Sequence, residues 1–209
     1  MPRVITTPII ADFRKRLTEA AAELLAERGD FNMRELAKRL QVSPMTAYRY
    51  FKDKREILGA LRARGFARLA DALEQARAGA DWPIATLQAY VRFALEDPTT
   101  YRLMFDLFQP EGAGPPDLAA HQHRVREIMN GLAGAGPSGP AAQPSPGGDM
   151  PWSALHGAVA LYLAAKLDRP GLDGALGAIA ALVGSRDGGP WRAREPFTLQ
   201  FPAALTAAE

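Results

Sequence analysis

The sequence predicts an all-α fold, and three observations carry that expectation. Apolar residues recur at three- and four-residue spacing over most of the chain. Most of the early periodic runs open on a capping residue or a proline. No segment reads as a strand, and no internal repeat stands out.

Thr7-Pro8 opens the first predicted helix, with Thr7 as cap and Pro8 in the first turn. Ile10, Phe13, Leu17, Ala20, Ala21, Leu24 and Leu25 carry its apolar stripe. Gly29 stops it, because glycine takes up the left-handed backbone of a helix end without a Cβ penalty. Asn32 with Glu35 three residues on reads as a capping box, and Leu36, Ala37 and Leu40 form the stripe of a short second helix. Gln41-Val42 makes a turn; Ser43 caps a third helix whose first position is Pro44. Asp53 and Glu56 read as a second capping box. They open a fourth helix running to about Ala78 on Ile57, Leu61, Phe66, Leu69 and Leu73. Gly79 is the expected boundary between two functional units. Beyond it, helices are expected near 82–96, ending at Asp97-Pro98, and near 99–108, 117–132, 152–167 and 172–184. The Gly-, Pro- and Ser-dense segment 131–148 reads as a loop, and 186–209 carries no assignable pattern.

Composition narrows the function. Of 209 residues 47% are hydrophobic, enough for a sizeable core, yet no window approaches the ~20 apolar residues of a membrane span. The opening MPRVITTPII lacks the apolar run of a secretory signal, so a cytoplasmic location is expected. Absence of cysteine excludes disulfides, thiolate catalysis and Cys-ligated zinc. The net charge of +2 conceals an asymmetry: residues 1–80 hold 16 Lys/Arg against 10 Asp/Glu, a net +6, and the remainder holds 9 against 13, a net −4. A basic front half suits a polyanionic partner; the acidic rear half does not.

The stretch FNMRELAKRLQVSPMTAYRYFKDKREILGAL, residues 31–61, is the most informative. A short helix, a tight turn and a second short helix opening on Ser43-Pro44 are laid out as a helix-turn-helix. In that motif the second helix is the one that enters the DNA major groove. Such a helix must bury one face and leave the other polar. Ala47 and Phe51 are expected inward with Leu40 and Val42; Pro44, Met45, Thr46, Tyr48 and Arg49 are expected outward. Thr46 suits a base edge or a thymine methyl, Tyr48 and Tyr50 suit phosphates, and Arg34 suits a phosphate or a guanine. Lys54 stands in the first turn of the fourth helix, where free backbone N–H groups favour an anion. With Ser43 as cap, these are the expected DNA-binding residues. The competing reading is a helical hairpin with a solvated polar face.

Over AAAELLAERGDFNMRELAKRLQVSPMTAYRYFKDKREIL, residues 20–58, the chain resembles the TetR family of bacterial transcriptional regulators. The most specific part is Val42-Ser43-Pro44 through Tyr48, Tyr50, Phe51, Lys54 and Leu58. It departs at Gln41, where the family usually has a turn glycine; a left-handed residue other than glycine costs about 1 kcal/mol there. Trp152-Ser-Ala-Leu-His156-Gly157, with Tyr101-Arg-Leu-Met-Phe105 upstream, resembles one C-terminal type. The resemblance implies a homodimer with two reading heads, a ligand pocket in the C-terminal helices, and repression released by ligand. The segment 152–167 is apolar nearly all round, as a helix facing both its own core and a partner subunit would be. Ala158, Ala165, Ala175 and Ala178 would allow close approach of helices. Burial within one subunit is the alternative.

Other constellations point away from catalysis. No Gly-rich phosphate loop, Ser/His/Asp arrangement or carboxylate pair is present, so no enzyme and no cofactor is expected. His121 and His123 are two apart and do not share a helix face, and His156 is distant, so no metal is expected. Phe93, Met104, Phe105, Phe108, His121, Met129 and Trp152 are the candidates for lining an effector cavity; at helical spacing they also fit plain core.

The expected organisation is a helix-turn-helix DNA-binding domain at 1–52, a connecting helix at 53–79, a ligand-binding and dimerisation domain at 80–185, and an unassigned tail at 186–209. The expected function is a ligand-responsive transcriptional regulator, a repressor that leaves an inverted-repeat DNA operator when a small, mainly apolar effector binds. Two alternatives stand beside it: a helix-turn-helix regulator without a small-molecule effector, gated by a protein partner or acting as an activator, and an all-α enzyme with an incidental basic hairpin.

Overall fold

The computed structural model describes residues 7–78, 81–106, 114–132 and 149–184. Gly79, Phe108, the expected loop beyond Leu132 and the tail from 186 lie outside the described residues. The regular elements among them are all α-helices: α1 (Thr7–Arg28), α2 (Met33–Arg39), α3 (Pro44–Tyr48), α4 (Lys54–Ala76), α5 (Trp82–Glu96), α6 (Pro98–Met104), α7 (Asp117–Gly131), α8 (Met150–Leu163) and α9 (Arg169–Gly184). None is long and apolar enough to cross a membrane. Among the described residues one compact unit takes those up to Phe66 and Thr99–Ala120; a second takes Ala67–Pro98 and those from His121 onward.

In the first unit α1, α2, α3 and the start of α4 close on one core. Leu17, Ala21, Leu24, Phe31, Leu36, Ala37, Ala47, Phe51 and Ile57 are buried in it, with Leu40, Val42 and Tyr50 at its edge. Gly29 ends α1 at φ +75°, its N–H donating to the Leu25 carbonyl at 2.8 Å. α6 belongs to this unit too. The Phe105 ring lies 5.4 Å from that of Phe66, edge to face, and 5.0 Å from that of Tyr101. A Cβ at Gly65 would fall 2.6 Å from Met104 Sδ and 2.9 Å from Thr100 Cγ2, so a side chain there would have to push these two side chains of α6 aside.

The turn after α2 is a Schellman motif. The Val42 N–H donates to the Ala37 carbonyl at 3.0 Å and the Gln41 N–H to that of Lys38 at 3.1 Å, with Gln41 at φ +55°. Gln41→Gly is therefore expected to raise stability by about 1 kcal/mol. A urea titration would register this as a higher midpoint at unchanged slope.

In the second unit α5, α8 and α9 pack on one another. Leu87, Tyr90, Val91, Leu155, Val159, Leu172 and Leu176 are buried there, as are Leu69 and Leu73 of α4 and Val125 and Met129 of α7. Arg124 of α7 reaches α4, with Nη2 2.8 Å from Asp71 Oδ1 and 2.7 Å from Glu74 Oε2. α8 stops at Leu163, four residues before the predicted end. The Ala165 N–H donates to the Tyr162 carbonyl and the Lys166 N–H to that of Leu161, both at 2.9 Å, with Ala165 at φ +53°. Ala164-Ala165 looks helical by propensity, which is why this stop was not legible. α9 starts three residues earlier than predicted, where Asp168 Oδ1 accepts from the Gly171 N–H at 2.9 Å.

Candidate nucleic-acid interface

The local chemistry of residues 32–56 holds two short helices that would be marginal alone. Asn32 Oδ1 accepts from the Arg34 and Glu35 N–H groups at 3.0 Å, and Glu35 Oε2 accepts from the Asn32 N–H at 2.9 Å. This is the predicted capping box, and it leaves the Arg34 side chain exposed. Ser43 Oγ accepts from the Thr46 N–H at 3.2 Å and lies 2.9 Å from Thr46 Oγ1, with Pro44 at the first helical position. The box at α4 differs from expectation. The Glu56 N–H donates to Asp53 Oδ1 at 2.9 Å, but the Glu56 carboxylate accepts from Lys52 N–H at 2.6 Å rather than from Asp53.

α3 buries Ala47 alone, and Phe51 follows into the core. Ser43, Pro44, Met45, Tyr48 and Arg49 are exposed, and Thr46 is half-buried. Met45 is 72% exposed and Tyr48 48% exposed, so both apolar surfaces stand in solvent. Tyr50 is half-buried, its ring 4.7 Å from that of Phe13 in α1. Lys54 pairs with Asp30 and stands 5.2 Å from the Phe31 ring centre; its ammonium holds the Asp30 carboxyl below the usual range. Arg14 escaped the sequence reading. Its guanidinium lies 4.0 Å from the Phe51 ring centre, bonds Glu56 Oε1 at 3.1 Å and donates to the Tyr50 carbonyl, fastening α1 to the end of the reading segment. Partners 36 and 42 residues away leave no local pattern.

Charge follows from these contacts. Between Asp30 and Glu56 there are seven Lys/Arg and four carboxylates. Each carboxylate is engaged: Asp30 by Lys54, Glu35 and Asp53 as caps, Glu56 by the Lys52 backbone and Arg14. Arg34, Lys38, Arg49, Lys52 and Arg55 remain exposed. The surface around α2 and α3 is therefore net positive, as phosphate binding requires.

Residues 17–61 match the family model for bacterial regulatory proteins of the tetR family, and residues 84–182 match that for a tetracyclin repressor-like C-terminal domain. The chain belongs to the TetR family. Solved structures agree. The protein SCO4313, described as regulatory, is 26% identical with a TM-score of 0.69, over 90% of this chain and 100% of that one. A Rhodococcus sp. RHA1 protein described as of unknown function is 27% identical with a TM-score of 0.65, over 81% and 92%. FadR from Bacillus subtilis, solved in complex with stearoyl-CoA, shares the fold at 16% identity and a TM-score of 0.61, over 82% and 98%. No curated protein matches the sequence.

The predicted effector residues of this TetR-family chain fall into two groups. Met104 and Phe105 belong to the first unit, where they pack beside Gly65 and Phe66. Phe93, His121, Met129 and Trp152 belong to the second. Phe93 and Met129 are buried; His121 is half-buried, with Nδ1 3.5 Å from Arg124 Nη1. A cleft of about 500 Å³ in the first unit is lined by Leu25, Ala26, Gly29, Thr99, Arg102, Leu103 and Asp106, none of them an expected effector residue. Among the described residues no group of three or more His, Asp or Glu is placed to hold a metal ion.

A polar trio in the second unit was missed by the sequence reading. The Trp152 Nε1–H donates to the Tyr90 hydroxyl at 3.2 Å, and that hydroxyl lies 3.3 Å from His156 Nδ1. Tyr90 is wholly buried. Burial holds the His156 pKa below its ordinary 6.5, so the unfolded chain takes up this proton first. The His156 contribution to stability is complete above pH 6.5 and falls as pH drops from there through the lower folded value. A urea midpoint that declines between pH 7.5 and 5.5, and declines less in His156→Gln, is the expected result.

Proposed function

We propose that the chain is a cytoplasmic, dimeric repressor that holds an inverted-repeat operator and releases it when a small, mainly apolar effector binds its body. The functional division is a reading head at 1–52, a connecting helix at 53–79 and a ligand-binding and dimerisation body at 80–185. The outward face of α3 carries this reading: Met45 and Tyr48 stand in solvent on a helix whose other side is core, amid exposed cations. Arg34, Ser43, Pro44, Met45, Thr46, Tyr48, Arg49, Tyr50 and Lys54 are the assigned DNA contacts.

For the effector, Phe93, Met129 and Trp152 supply apolar and adaptable walls, and His121 with the Tyr90–His156–Trp152 trio supplies orienting polar groups. An effector that binds only the DNA-released state must raise thermal stability by mass action and lower operator affinity together. A thermal-shift screen of apolar and aromatic compounds, followed by operator binding with each hit, tests this. Compounds that stabilise yet leave operator affinity unchanged would replace effector control by a partner-gated regulator.

A further inference from the structure

The five residues of α3, Pro44-Met-Thr-Ala-Tyr48, include no Arg, Lys, Asn, Gln, Asp or Glu. Those are the side chains that pair bidentately with guanine or adenine edges or accept from cytosine. What the helix offers instead is apolar: Met45 at 72% exposure, the Tyr48 ring at 48%, and the exposed Pro44. The polar atoms beside them are partly committed, since Thr46 Oγ1 is 2.9 Å from Ser43 Oγ, which also caps the helix. The charged groups nearby, Arg34 and Arg49, lie in α2 and at the end of α3 rather than on its body. In the major groove the base feature that an apolar side chain recognises is the thymine C5-methyl.

We infer that α3 reads its half-site by apolar contact with thymine methyl groups, with Met45 the principal reader, while the flanking cations supply position on the phosphates. This rests on the DNA-binding reading above. An operator half-site then carries thymine at the positions facing Met45, and guanine contacts fall at its edges.

Replacing thymine by uracil removes the methyl and nothing else from the base edge, so it is the natural probe. Operator duplexes would be selected from a random pool with the full chain, and each thymine of the half-site replaced singly by uracil. At least one position per half-site is expected to lose about fourfold in affinity, the worth of one buried methyl-sized group. Met45→Ala is expected to bind the thymine duplex about fourfold or more less tightly and to ignore the uracil change at that position; Met45→Leu should restore discrimination. Met45 is solvent-exposed, so these variants keep the fold. Uracil duplexes bound within twofold of the parent at every position, or Met45→Ala discriminating as the parent does, overturn the inference while leaving DNA binding intact. Failure to select any duplex overturns it together with the DNA-binding reading.

Discussion

Replacing Leu161 and Leu182 together by glutamate is expected to yield a folded monomer whose operator affinity is lower by about 10²–10⁴-fold. The two heads of a dimer hold two half-sites, so the second contact is intramolecular; a monomer forfeits that effective concentration. The positions follow from exposure. Met150, Ala154, Gly157 and Leu161 recur at spacings of four, three and four along α8, and Gly174, Ala178 and Leu182 at spacings of four along α9. Met150, Leu161 and Leu182 are 51%, 50% and 57% exposed, and Gly157, Gly174 and Gly177 have open space where a Cβ would stand. Such a surface suits a close approach by a second copy. Ala158 and Ile179, which hydrophobicity alone would pick as probes, are 7% and 4% exposed within one subunit. Glutamate there buries an unpaired charge and unfolds the unit, whatever the assembly. Light scattering with a helical circular-dichroism spectrum separates the two outcomes, and a double variant that remains dimeric would place the interface elsewhere.

Loss of single reading contacts should cost less, but still measurably. Arg34→Ala is expected to weaken a selected operator by about 1–3 kcal/mol and to relax preference at one position where it reaches a guanine, and Tyr48→Ala to weaken it through a lost phosphate contact. Lys54→Ala is expected to weaken all duplexes alike and to reduce the salt slope by about one. Lys54 is tied to Asp30 in the free protein, an exposed pair that adds little to stability. Asp30→Asn should therefore free the ammonium and tighten non-specific binding, most at low salt. Parent-like affinity in both Tyr48→Ala and Lys54→Ala would remove the docking of α3 and α4 on DNA.

The head was legible because its determinants are local. Asn32/Glu35, Ser43-Pro44 and Gly29 act within a few residues of themselves, and each predicts a helix end found where expected. The end of α8 was not legible, since a left-handed alanine leaves no mark that an ordinary helical alanine lacks. Contacts made at long range were equally hidden. Arg14 on Phe51, Arg124 on Asp71 and Glu74, and the Tyr90–His156–Trp152 trio join residues 36 or more apart, and no period encodes them. The expected effector residues were read from composition, which does not distinguish core from cavity wall. Met104 and Phe105 stand in one unit and Phe93 and Met129 in the other for that reason.

This chain is expected to recognise DNA through α3 as a dimer. Selection of bound duplexes from a random pool, with the stoichiometry of the complex read by light scattering, tests it most directly. The expected result is enrichment of one inverted repeat, held by an even number of chains, whose affinity falls steeply with salt. A pool that shows no enrichment after successive rounds, at salt low enough for non-specific binding, would contradict it.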